Sequence, residues 1–134
     1  SPDKDKLIRS FGADEIVRDG KELAQVGGAD IILGTSNSAD AMVDSIQGLR
    51  PDGRFVLMGF DTKPLALSAA DFIGKRIRVI GSQQNSREFL YEALEFVAKR
   101  QVKVAAETYP LNAINKAYER VAEGKVRFRA VIMN

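Results

Sequence analysis

Three short apolar runs in this chain end in a glycine and are followed by polar residues, in one case after a single phenylalanine. Ile31-Ile32-Leu33-Gly34 precedes Thr35 and Ser36. Phe55-Val56-Leu57-Met58-Gly59 precedes Phe60, and Ile77-Arg78-Val79-Ile80-Gly81 precedes Ser82 and Gln83. Phe55 to Met58 is an uninterrupted apolar run, which suits a strand covered on both faces of a parallel sheet, and the other two runs have the same form. In open sheets of that kind, ligands bind at the carboxyl edge of the strands. Gly59 leaves room there for another main chain or a ligand to come close. The chemistry such an edge offers is holding and orienting a ligand. The chain has no histidine and no cysteine, so the usual general base near neutral pH, the thiolate nucleophile and the commonest metal ligands are missing from it. No acid pair, nucleophile–base set or metal cluster is evident in the sequence, and no catalytic residue is assigned.

The elements that must carry these runs follow from periodicity and punctuation. Ser1-Pro2-Asp3 reads as a helix start, with Leu7, Ile8 and Phe11 on one face and Gly12 as the stop. Residues 15–17 read as a short strand and residues 21–25 as a brief helix. Ser38 is a cap, and Ala39, Met42, Val43, Ile46 and Leu49 recur at helical steps. Pro51 must end that helix, and Asp52-Gly53 supplies a turn with Gly53 free to take positive φ. A short helix spans about residues 68–74. A longer one starts at Ser86, with Phe89, Leu90, Ala93, Leu94 and Val97 facing inward. Phe89, Tyr91, Phe96 and Tyr118 read as core or interface. Residues 102–109 read as extended and are closed by Pro110. Asn112 caps a helix striped by Ile114, Ala117, Tyr118 and Val121, which Gly124 ends. Residues 127–133 read as a final strand.

Strands alternating with helices at this spacing imply βαβ units, a parallel sheet and an α/β fold. With 134 residues the chain suits one domain or a piece of a larger one. A net charge of +2 with both signs interspersed gives no footing for a nucleic-acid partner. No apolar run approaches the roughly 20 residues that span a bilayer. With no leader at its start, a cytoplasmic location is the default expectation.

Several motifs then point to one family. Leu49-Arg50-Pro51-Asp52-Gly53-Arg54, followed by Val56-Leu57-Met58-Gly59, resembles the L-R-P-x-G-R-x-V-x-x-G run of medium-chain dehydrogenases of the zinc-type alcohol dehydrogenase family. Phe11-Gly12-Ala13-Asp14 resembles the x-G-A-D that precedes that family's third strand. Glu107-Thr108-Tyr109-Pro110-Leu111, Ile114-Asn115, Gly124-Lys125-Val126-Arg127 and Arg129-Ala130-Val131 resemble its C-terminal run. The matches keep the family's order and cover nearly the whole chain.

The resemblance implies a partial Rossmann-type parallel sheet with helices on both faces, followed by a C-terminal strand–helix–strand segment. Residues 1–100 would be the later part of an NAD(P)-binding domain without its first two strands and Gly-rich turn. Residues 101–134 would return to the catalytic domain. It places Thr35 and Ser36 beside the adenosine half and the bound cofactor, and Met58, Gly59 and Phe60 near the nicotinamide ribose and ring. Main-chain groups of Ser82 and Gln83 would meet the carboxamide, although Gln84-Asn85 departs from the Gly-containing version of that loop. Arg129 would reach the pyrophosphate, for which a guanidinium is suited by charge and planar fork, and Arg127 would be an exposed strand arginine. The implied cofactor is NAD or NADP, the substrate a small alcohol or aldehyde, and zinc would be held by ligands outside this chain. The edge strand at Ile77 and Ile80 would pair with its twin in a homodimer. Two other readings stay open at this point: a zinc-free quinone or enoyl reductase relative, and a non-catalytic nucleotide-binding or dimerisation module.

Overall fold

The computed structural model describes residues 2–83 and 86–134. The expected cap at Ser1 and the departure at Gln84 and Asn85 lie outside the described residues. The chain divides into two units, Ser1–Gln84 and Asn85–Asn134.

The first unit runs α1 (Pro2–Ser10), α2 (Gly20–Gln25), β1 (Ala29–Gly34), α3 (Ala39–Ile46), β2 (Leu49–Leu57), α4 (Ala69–Lys75) and β3 (Arg78–Gly81). Its three strands form a parallel sheet in the order β1-β2-β3. Register puts Ile32, Phe55 and Val79 side by side on one face. Against that face lie Met42 and Ile46 of α3, together with Leu49, Ile77, Leu65, Leu67 and Phe72. Phe55 is 0% exposed, and burying an aromatic ring of that size contributes roughly 2–3 kcal/mol. The sequence predicts helices over both faces. α3 and α4 cover one, while Ile31, Leu33 and Ile80 on the opposite face stay exposed.

Side chains build the starts of α2, α3 and α4. Asp19 accepts from the Glu22 N–H, Ser38 from the Ala41 N–H, and Ser68 with Asp71 forms a reciprocal capping box. Residues 15–17 form no strand among the described residues. In the order 3-2-1-4-5-6 a third strand pairs only with the second, and no neighbouring strand is present for them here.

The region of Pro51 also differs from expectation. α3 ends at Ile46, and Leu49 already belongs to β2. The turn is absorbed as a bulge: β1 advances two residues from Ala29 to Ile31 while β2 advances five, from Leu49 to Arg54. Asp52, not Gly53, takes positive φ, at 64°. Gly53 is needed for space, since a Cβ would lie 2.8 Å from the Arg50 carbonyl oxygen. Arg76, at φ 52°, donates to Asp52 through Nε (2.9 Å) and Nη2 (2.6 Å), so two left-handed residues grip each other.

The second unit runs α5 (Arg87–Ala98), β4 (Glu107–Pro110), a 3-10 turn (Leu111–Ala113), α6 (Ile114–Ala122) and β5 (Ala130–Met133), with β4 and β5 parallel. The expected inward face of α5 is not buried: Phe89, Leu90, Ala93, Leu94 and Val97 are all exposed. Tyr91, Phe96 and Tyr118 are exposed as well, so none of these aromatics is core. Asn112 is not the cap of α6, because the chain first makes the tighter 3-10 turn and Ala113 takes the cap position. Of the expected stripe on α6 only Ala117 is buried. The last strand begins at Ala130 rather than 127, because Phe128 turns the chain at φ 71°.

Candidate functional site

The carboxyl edge of β1, β2 and β3 brings together three of the expected loops. Leu33, Val56 and Ile80 are in register, followed by Gly34, Leu57 and Gly81. Beyond them the main chain is stitched across. Met58 N–H (3.0 Å) and Gly59 N–H (2.7 Å) both donate to the Gly34 carbonyl, and Ser82 N–H donates to the Leu57 carbonyl (2.9 Å). A Cβ on Gly59 would lie 1.8 Å from the Ser36 oxygen and 2.9 Å from the Thr35 carbonyl carbon. Glycine is therefore required where this loop crosses the Ser36 carbonyl. By contrast, nothing stands within 4 Å of a Cβ built on Gly81, so the third loop leaves its glycine face open.

The side chains at this edge are largely presented to solvent. Thr35, Ser82 and Gln83 are exposed, Met58 is 53% exposed and Phe60 80%. Met58 lies beyond the end of β2 and is not part of the apolar core. Ser36 is half-buried, and its Oγ accepts from the Ser38 N–H at 3.1 Å. Ser82 spends its own N–H on the sheet, while its carbonyl and hydroxyl have no partner among the described residues.

One residue of this edge escapes a reading by strand ends. Asp61 accepts from the Ala39 N–H (2.7 Å) at the start of α3 and from the Lys63 N–H (3.1 Å). These two peptide groups, Ala39 first, hold its carboxyl below the usual carboxylate range. It thereby ties the loop after β2 to the helix after β1. The only signal for it was an acid just past a strand-ending glycine.

Arg129 lies in the second unit, exposed, just before β5. Its guanidinium has no hydrogen-bond or ion-pair partner among the described residues. Arg127 is a loop residue whose N–H donates to Glu107 Oε1 at 3.0 Å. Glu107 is the centre of a cluster that motif matching quoted without seeing its role. Its Oε2 accepts from the Tyr109 hydroxyl (2.5 Å) and from Arg120 Nη2 (3.0 Å), and Arg120 Nε donates to the Tyr109 oxygen (2.9 Å). The Tyr109 hydroxyl, the Arg127 N–H and the Arg120 fork together bring the Glu107 carboxyl down to about 2. The same contact with Glu107 pushes the Tyr109 phenol up. At the carboxyl ends of β4 and β5, Tyr109, Pro110, Leu111, Met133 and Asn134 line a wide, shallow depression.

The carboxyl edge fits a ligand held by main-chain groups and hydroxyls. Asp61 is committed to peptide N–H groups and Asp40 to Lys63, so neither acid is poised to move a proton. Among the described residues no three His, Cys, Asp or Glu side chains are placed to hold a metal ion. With no histidine or cysteine in the sequence, this chain does not supply a zinc site of the usual donors. No helix of the described residues is long and apolar enough to cross a membrane.

The family model for zinc-binding dehydrogenases matches residues 1–99. An alcohol dehydrogenase from Rhizobium meliloti (strain 1021) is 35% identical over 137 residues, covering 98% of this chain and 40% of the relative. Among solved structures, a cinnamyl alcohol dehydrogenase from Sorghum bicolor superposes with a TM-score of 0.84 at 29% identity, over 98% of this chain and 38% of that one. An alcohol dehydrogenase from Aeropyrum pernix gives 0.85 at 24% identity, over 100% of this chain and 41% of that one, a likeness of fold. The chain spans about 40% of the length of the first curated relatives it matches.

Proposed function

The chain belongs to the zinc-binding dehydrogenase family, and from that premise we propose that it forms the later part of the cofactor-binding domain of an NAD(P)-dependent, alcohol-dehydrogenase-like oxidoreductase. The whole protein would interconvert a small alcohol and its aldehyde or ketone, with the nicotinamide taking up or giving back a hydride. The observation that carries this reading is the stitched carboxyl edge, where Gly59 closes on the Ser36 carbonyl and the third loop leaves Gly81 bare. Met58, Gly59, Phe60, Ser82 and Gln83 would line the nicotinamide half, with Thr35 and Ser36 beside them. Phe60, exposed and apolar, would exclude water from a ring laid on this edge. Arg129 would meet the pyrophosphate, a role suited to a guanidinium with no partner among the described residues.

In this reading residues 1–100 complete the cofactor domain, which agrees with a family match that stops at residue 99. Residues 101–134 form the strand–helix–strand that joins the catalytic domain. Zinc, where the whole protein uses it, is ligated from outside this chain. β3 is an edge strand of its sheet, and its exposed Ile80 favours pairing with a second copy, since a bare apolar edge is a liability. Sedimentation of the full-length protein as a clean monomer would remove that part of the reading. A cytoplasmic location accords with the same reading.

The function is tested on the full-length protein. Alcohol-dependent reduction of NAD+ or NADP+ is expected across a panel of primary and secondary alcohols; no reduction with any of them, and no NADH binding, would overturn it. The 134-residue chain alone should bind NADH only feebly, because a helix N-terminus presented by a Gly-rich turn is what cradles a pyrophosphate. Sub-micromolar binding by the chain alone would overturn its reading as part of a site.

A further inference from the structure

We propose that Glu107, held by Tyr109 and Arg120, is a positioning residue that sets Arg129 for the diphosphate of the dinucleotide. The inference rests on the cofactor reading above and adds a function to the Glu107 cluster.

The argument starts from the turn that delivers Arg129. Phe128 sits at φ 71°, a conformation that bulky side chains avoid and that persists only where surrounding contacts over-determine it. Glu107 supplies those contacts on both sides of the turn. Its carboxylate Oε1 accepts from the Arg127 N–H at 3.0 Å, and its own N–H donates to the Arg129 carbonyl at 2.8 Å. One residue thus pins the residue before and the residue after Phe128, and the parallel register of β4 and β5 begins there, with Glu107 opposite Ala130.

The carboxylate is in turn locked. Tyr109 and Arg120 fix its orientation through the bonds described above, and Arg120 Nη2 also donates to the Lys125 carbonyl at 3.2 Å. The lock has a second effect on charge. Arg120 is neutralised by Glu107, whereas Arg129 has no such partner among the described residues. Of these two cations, only Arg129 is left to meet an anion. An Arg129 anchored at its main chain loses less freedom when it closes on a diphosphate, which is how pre-organisation raises affinity.

The test uses the full-length protein, with ADP-ribose, which carries the diphosphate, and adenosine, which does not. Arg129→Ala should weaken ADP-ribose on the order of tenfold, as expected for a charge-assisted contact. Glu107→Gln should weaken it about threefold to tenfold on the same scale, with adenosine affinity unchanged. In the Arg129→Ala background, Glu107→Gln should add nothing. Arg120→Lys, which keeps the charge but loses the fork, should act in the same direction and serves if Glu107→Gln does not fold. Glu123→Gln, at an exposed ion pair with Lys125, should leave both affinities alone. If Arg129→Ala weakens ADP-ribose and Glu107→Gln does not, the positioning role is overturned while the cofactor reading stands. The same holds if Glu107→Gln weakens adenosine equally or persists undiminished without Arg129. If Arg129→Ala itself has no effect, the assignment of Arg129 fails and the proposal falls with it.

Discussion

The carboxyl edge of the three-stranded sheet and the Glu107 cluster are both places where loops are held to a fixed shape, and they do it by opposite means. At the edge, peptide groups bond to peptide groups, with Gly34 accepting twice and Leu57 once. Apart from Asp61 and Ser36, its side chains are not needed for its shape, and most are exposed. At Glu107 a carboxylate, a phenol and a guanidinium do the holding. An edge made of main chain tolerates change in side-chain chemistry and resists an added Cβ where one main chain crosses another, as at Gly59. A cluster made of side chains has the reverse sensitivities, and it answers to pH.

The largest expected effect breaks the edge. Gly59→Ala forces a methyl group to within 1.8 Å of the Ser36 oxygen, and an overlap with main chain that cannot rotate away should cost about 3 kcal/mol. Urea denaturation would show it as a lower midpoint with unchanged slope. A shift indistinguishable from wild type would mean that the edge is not closed as described.

An intermediate effect separates the two regions by pH. Glu107 has a folded value of about 2 against an ordinary 4.5. Its folded-state value is depressed, so its contribution to stability is fully present above the ordinary value. As pH falls, the unfolded chain takes up the proton first, and the contribution is lost between about 4.5 and 2. The difference in urea midpoint between wild type and Glu107→Gln should therefore shrink across that window. A difference constant from neutral pH to pH 2 would show that the carboxylate's charge is not what holds the cluster.

The smallest effect is a control on the first. Gly81→Ala also changes a strand-ending glycine, yet its Cβ meets nothing within 4 Å. Stability should change by less than about 0.5 kcal/mol. Cofactor affinity in the full-length protein should fall if a ligand lies against that face. A large loss of stability would erase the contrast with Gly59.

This contrast also explains what could be read in advance. The parallel α/β pattern, the strand ends and the glycines at the edge were legible, because main-chain architecture writes itself into apolar runs and glycine positions. Residues 15–17 misled because a strand needs a neighbour, and propensity carries no information about whether one is there. α5 misled for a related reason: its amphipathic spacing says which face is apolar, not whether anything covers it. The start of β5 was missed because an aromatic at positive φ has no sequence signature. Glu107, Tyr109 and Arg120 are separated by up to 13 residues, and nothing local marks them as one cluster. Asp61 was hidden likewise, since its partners are the main chain of another segment.

The bulge in β2 carries a last consequence. Asp52 and Arg76 both take left-handed backbone, and each is the other's hydrogen-bonding partner. A glycine at either position would relax that backbone but release the opposite side chain. Any other residue there would keep the backbone penalty and lose the grip. As sequences drift, neither position is therefore at liberty by itself. A lineage that changes one inherits a debt at the other, and the two sites, 24 residues apart, should be expected to change in step.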